Sequence, residues 1–148
     1  MSRRTQRRPA AGLDPGPLPG LIGYRLRLAQ QTVFRDFAAS VPGVSPGRIG
    51  MLLLVEANPG VTQSRLAQAV GRDRSTMVGV LDQLEAKRLV ERRKGADRRT
   101  NGVWLTRAGR SLLARAKRAI ADHEQRVAAR LSAAERAKLL ELLGRIGA

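Results

Sequence analysis

At 148 residues the chain has the size of one domain or two very small ones, and 43% apolar against 3% aromatic residues call for an aliphatic core of the kind small helical proteins build. Twenty-eight Lys and Arg against 12 Asp and Glu leave a net charge of +16, which points to a polyanionic partner. The lack of Cys excludes disulfides, thiolate metal sites and thiol nucleophiles, and the longest apolar run, Met51 to Val55, is far short of the roughly 20 residues of a membrane helix.

Residues 1–20 hold four of the seven prolines and four arginines with little to bury, so a flexible basic arm is expected, either a solvated tail or an extension that tracks DNA phosphates. The basic start Ser2 to Pro9 is followed by no apolar stretch of signal-peptide length, and a cytoplasmic protein is expected. From Leu21 to about Ser40, Leu21, Tyr24, Leu28, Phe34 and Phe37 recur near the helical period. Val41-Pro42-Gly43 breaks that helix, and Ser45-Pro46 places an N-cap before a first-turn proline to open a second helix running to about Ala57. Asn58-Pro59-Gly60 stops it. Thr62 caps a short helix through Val70, Gly71-Arg72 forms a tight turn, and Asp73 caps a longer helix through about Lys87.

Two β-compatible segments follow, Leu89 to Arg93 and Thr100 to Leu105, flanking the turn-prone Lys94-Gly95-Ala96. A hairpin is expected. Thr106 then starts a long helix carrying Leu112, Leu113, Ala116, Ala119, Ile120 and Val127, and Ser132 caps a last one with Leu139, Leu140, Leu142, Leu143 and Ile146. His123, in the long helix, is expected at the surface or at an interface.

Within Gln63 to Asp82 the spacing is that of a helix-turn-helix. Ala67 permits close helix approach, Gly71 accepts positive φ, and Met77, Val80, Leu81 and Leu84 hold the second helix on the core. The opposite face, Arg74, Ser75, Val78, Gly79 and Asp82, stays free beside a helix N-terminus that favours phosphate. The hairpin adds Lys87, Arg88, Arg92, Arg93, Lys94, Arg98 and Arg99, a basic wing suited to the minor groove. Asp97 stands two residues before Arg99, close enough to orient its guanidinium.

The segment Gly60 to Gly109, above all Asp97-Arg98-Arg99-Thr100 and Leu105-Thr106-Arg107-Ala108-Gly109, resembles the winged helix-turn-helix of MarR-type (multiple antibiotic resistance regulator) transcription factors. The resemblance covers about 85% of the chain and implies a mainly α fold: a winged helix-turn-helix with a two-stranded β-wing and an added helical dimerisation region. Residues 21–148 then form one domain, with the winged part at about 45–106 and dimerisation helices at about 21–40 and 107–146. It further implies a homodimer on double-stranded DNA at a pseudo-palindromic operator. The candidate DNA contacts are Ser64, Arg65 and Arg72, then Arg74, Ser75, Thr76, Val78 and Gly79 on the reading helix, and Arg93, Lys94, Asp97, Arg98 and Arg99 in the wing. Three departures stand out: Arg88 replaces the usual glycine after the reading helix, the wing tip is about one residue short, and Val78-Gly79 replace polar or basic readers. The last shifts the expected readout toward thymine methyls and DNA shape.

Members of this family respond to small ligands, and Tyr24 to Gln31, with Ser45-Pro46-Gly47 and Glu56 to Gly60, look most like the branch that senses hydroxycinnamoyl-coenzyme A thioesters. The implied reading is a repressor of aromatic-acid catabolism genes released by an aromatic acyl-CoA such as p-coumaroyl-CoA. Arg25 and Arg27 would match an anionic coenzyme A, or lie on a solvated helix face. Tyr24, Leu28, Gln31 and Phe34 would line the aromatic end, or serve as core or dimer contacts. The alternatives are a response to a free phenolic compound or drug, and a nonspecific architectural nucleic-acid-binding protein. No triad, paired carboxylate, metal cluster or phosphate loop is present in the sequence, so neither an enzyme nor a cofactor is expected.

Overall fold

The computed structural model describes residues 13–95 and 100–147. Most of the expected basic arm, and Asp97, Arg98 and Arg99 at the wing tip, lie outside the described residues. The chain divides into two compact units, residues 1–35 and 36–148. In the first, a single 3-10 turn, Leu18–Gly20, precedes helix α1 (Ile22–Ser40), whose last residues, from Asp36, belong to the second unit.

The second unit continues with α2 (Pro46–Ala57), β1 (Val61–Thr62), α3 (Gln63–Ala69), α4 (Arg74–Ala86), β2 (Val90–Lys94), β3 (Asn101–Leu105), α5 (Arg107–Ala128) and α6 (Ala133–Ile146). Helix starts follow from local chemistry. Ser45 accepts from the Arg48 N–H, Thr62 from Arg65, Asp73 from Thr76 and Thr106 from Gly109, each side chain satisfying an otherwise orphaned donor. Ser132 and Glu135 close a reciprocal capping box at the start of α6. Every one of these caps was legible in the sequence.

The antiparallel sheet has the order β1-β3-β2, with Val61 opposite Val103 and Val90 opposite Leu105. The third strand, β1, was not expected. It is two residues long, too short for alternation to register, and it exists because the chain leaving Gly60 at φ +80° falls beside β3, where the Gly60 N–H donates to the Val103 carbonyl at 2.9 Å. The Trp104 ring lies over Gly60 and Gly102, and a Cβ at Gly60 would stand 2.8 Å from it.

Leu52, Met77, Leu81, Leu84, Val103 and Leu113 are fully buried and join α2, α4, β3 and α5 into one aliphatic core. α6 buries none of its residues, and Leu139, Leu140, Leu142, Leu143 and Ile146 are all exposed. Among the described residues no helix is long and apolar enough to cross a membrane.

His123 departs from expectation. It is buried, not at the surface, its Nδ1 2.7 Å from Asp36 Oδ1 and its ring edge-on to Phe37 at 5.4 Å between centroids. Arg126 grips the same carboxylate at 2.9 and 3.1 Å and donates to the Ser40 hydroxyl. Hydrogen bonds from Arg126 and then His123 hold Asp36 well below the usual carboxylate range. The reason is geometric: His123 continues the buried stripe of Leu113 and Ala116 on α5, and Asp36 supplies the partner that burial demands.

Candidate nucleic-acid interface

α3 and α4 meet across a turn in which Gly71 adopts φ +62°, a conformation glycine enters without a Cβ clash. Leu66, Ala67, Met77, Leu81 and Leu84 face the core, so the outer faces of both helices remain exposed, as the helical period requires. Ser64 and Arg65 on α3, Arg72 in the turn, and Arg74, Ser75, Val78 and Gly79 on α4 are all exposed. Thr76 is half-buried, with its hydroxyl donating to Asp73 Oδ2 at 2.6 Å. Ser75 donates to the other oxygen of Asp73 at 2.6 Å. These hydroxyls and the Thr76 N–H together hold Asp73 below the usual carboxylate range, an ionised cap at the start of α4. Arg74 reaches Ser64 Oγ at 3.2 Å, linking the two helices on their outer side.

The wing strands carry the next candidates. Arg93 and Lys94 are exposed at the end of β2, and Arg93 pairs with Glu91 while its guanidinium lies 5.6 Å from the Trp104 ring centroid. The Gly95 N–H donates to the Thr100 carbonyl at 2.8 Å, closing the hairpin below its tip.

Arg92 was counted in the sequence only as one more basic wing residue, and the fold gives it another place. Its side chain is 18% exposed and pairs with Asp82 at 2.6 Å and Glu85 at 2.7 Å. It also donates to Gln63 Oε1 at 2.6 Å, so one guanidinium joins β2 to both helices of the motif. The signal was strand alternation: Arg92 shares a strand face with buried Val90, which turns it toward the helices, whereas Glu91 and Arg93 face the Trp104 side.

At the end of α4, Arg88 sits at φ +55°, the left-handed conformation that glycine adopts without strain. Its N–H donates to the Glu85 carbonyl at 2.8 Å and the Leu89 N–H to the Leu84 carbonyl at 2.9 Å, the paired bonds of a Schellman cap. Thr106 Oγ1 donates to the Arg88 carbonyl at 2.6 Å, tying this cap to the start of α5.

The six expected ligand residues all fall in the first unit. Tyr24 and Leu28 are half-buried, and Arg25, Arg27, Gln31 and Phe34 are exposed. Arg25 donates to the Pro19 carbonyl at 2.7 Å, and the Arg27 guanidinium lies 5.5 Å from the Tyr24 ring centroid. A recess of about 420 Å³ is lined by Gly23, Leu26, Arg27 and Gln30, so Arg27 is the one member of the six that borders it. A recess of about 700 Å³ in the second unit lies among Ser45, Arg48, Met51, Leu54, Val80 and Gln83. None of the six borders it.

Residues 43–100 match the model of the MarR family. A Thauera aromatica protein named as the transcriptional regulatory protein for the hcr operon is 42% identical over 140 residues, covering 92% of this chain and 84% of that protein. The chain belongs to the MarR family. It is a MarR-family transcriptional regulator, and its mainly helical winged fold is the one its sequence implied. Among solved structures, the transcriptional repressor CouR bound to a 23-mer DNA duplex superposes with a TM-score of 0.87 at 38% identity, over 92% of this chain and 99% of that one. CouR bound to p-coumaroyl-CoA gives 0.85 at 38% identity, over 91% and 97%.

Proposed function

We propose that this MarR-family chain is a cytoplasmic homodimeric repressor that reads a pseudo-palindromic operator and leaves it on binding an aromatic acyl-CoA of the p-coumaroyl-CoA type, controlling aromatic-acid catabolism. The observation that carries this reading is the likeness, over nearly the whole chain, to CouR in both a DNA-bound and a p-coumaroyl-CoA-bound form. A net charge of +16 and the exposed α4 face beside a basic β2 support a DNA partner. The uncovered leucines of α6 support a second copy of the chain as their cover, since an apolar face of this kind is costly in water. Arg27 beside its recess supports an anionic effector. The contacts proposed for DNA are Ser64, Arg65, Arg72, Arg74, Ser75, Val78 and Gly79, with Arg93, Lys94 and the Asp97-Arg98-Arg99 tip.

The test is fluorescence anisotropy at about 150 mM salt, where nonspecific affinity is reduced. The duplex is the intergenic DNA beside the gene, compared with its shuffled counterpart, each with p-coumaroyl-CoA, free p-coumarate or coenzyme A added. The expected result is a preference of roughly 10³ for one native site, abolished by the thioester alone. Release by free p-coumarate would replace the thioester as effector. Equal affinity for native and shuffled duplexes throughout the neighbouring DNA would overturn the operator reading in favour of an architectural protein.

A further inference from the structure

The outer face of α4 is uneven in its chemistry. Towards its ends that face carries polar groups that also make contacts within the protein: Arg74 reaches Ser64, the Ser75 hydroxyl donates to Asp73, and Asp82 accepts from Arg92 at 2.6 Å. The centre of that face is different. Val78 leaves 38% of its surface exposed, and Gly79 beside it has nothing within 4 Å of the place a Cβ would occupy. The middle of the helix therefore presents an isopropyl group next to bare backbone, with no side-chain donor or acceptor of its own.

In the major groove each base pair offers hydrogen-bonding groups, and thymine alone among the four standard bases adds an apolar one, its C5 methyl. An isopropyl group has nothing to exchange with a guanine or cytosine edge and forfeits its apolar contact there. Against a methyl it buries surface on both sides. The missing Cβ at Gly79 lets the helix axis approach the base edges more closely than any other residue would permit. We propose that Val78 is a specificity-determining residue that reads a thymine methyl in each half-site, and that Gly79 sets the close approach this contact needs. This rests on the DNA-binding reading above and deepens it by naming the base.

The experiment uses the full-length chain and the duplex it selects from a randomised library, with each thymine replaced in turn by uracil, which removes the methyl and keeps every hydrogen-bonding group. At one or two positions per half-site the replacement weakens wild-type binding about fourfold per methyl lost. In Val78→Ala that penalty disappears, because thymine and uracil sites bind equally, whereas Val78→Ile retains it. Gly79→Ala weakens binding to the selected duplex while its melting temperature stays at or above the wild-type value, since alanine is the better helix former and meets no atom in the free protein. That pairing separates loss of contact from loss of fold. A wild-type affinity indifferent to uracil at every position overturns the inference and leaves sequence-specific binding standing, as does a uracil penalty that survives Val78→Ala. Failure to select any preferred duplex removes the DNA-reading proposal and this inference with it.

Discussion

Replacing Arg88 by glycine should stabilise the protein, even though glycine usually weakens helices. Arg88 holds the C′ position of the α4 cap at φ +55°, where a Cβ crowds the following carbonyl at a cost of about 1–2 kcal/mol. The conformation persists because it is held on every side: by the bonds from Arg88 to Glu85 and from Leu89 to Leu84, by the Thr106 hydroxyl on the Arg88 carbonyl, and by burial of Leu84 and Leu89. Glycine removes the Cβ strain and gives back about 0.5–1 kcal/mol through the greater freedom of the unfolded chain. The net gain is about 0.5–1 kcal/mol, or about 2–3 °C in melting temperature for a domain of this size. Thermal unfolding followed by circular dichroism, at one fixed protein concentration because association couples to folding, measures it. Arg88→Ala is the matched control, since it deletes the same exposed charge and stem but keeps the Cβ. An Arg88→Gly protein no more stable than Arg88→Ala would refute the reasoning, showing that the cap carries no strain to release.

Other outcomes follow from the same geometry. Gly109→Ala would place a Cβ 2.0 Å from the Leu89 carbonyl oxygen, the atom that accepts the Thr106 N–H. A destabilisation of about 2 kcal/mol or more is expected from such overpacking, and an unchanged urea midpoint would contradict it. Arg92→Ala should cost about 1–3 kcal/mol by stripping Gln63, Asp82 and Glu85 of a shared partner. A double-mutant cycle with Asp82→Asn should show coupling above about 0.5 kcal/mol, and strict additivity would remove Arg92 as the link between β2 and α4. For Asp73, the folded carboxyl titrates below its unfolded value near 4. Its stabilising effect is therefore full above that value and lost as pH falls toward the lower folded one. Asp73→Ala should melt lower than wild type at pH 7, with a gap that starts to close below about pH 4. A gap that widened on acidification would reverse the assignment.

Helix starts, the helix pair and the wing strands were legible in the amino-acid sequence because their determinants are local. Ser45, Thr62, Asp73, Thr106 and Ser132 each satisfy donors three residues ahead. Gly71 marks its own turn, and Arg88 stands where a glycine is usual. The exposed face of α4 was legible too, since the period that buries Met77, Leu81 and Leu84 leaves Val78 and Gly79 outside. What the tertiary structure decided are pairings between distant segments. Arg92 meets Gln63 across 29 positions and His123 meets Asp36 across 87, and β1 exists because Val61 lands beside Val103. A basic residue in a wing and a histidine in a helix look solvated when read in place. Only the packed chain brings up the carboxylates that pair with them, because the penalty for an unpaired buried polar group is settled by neighbours in space and not in sequence.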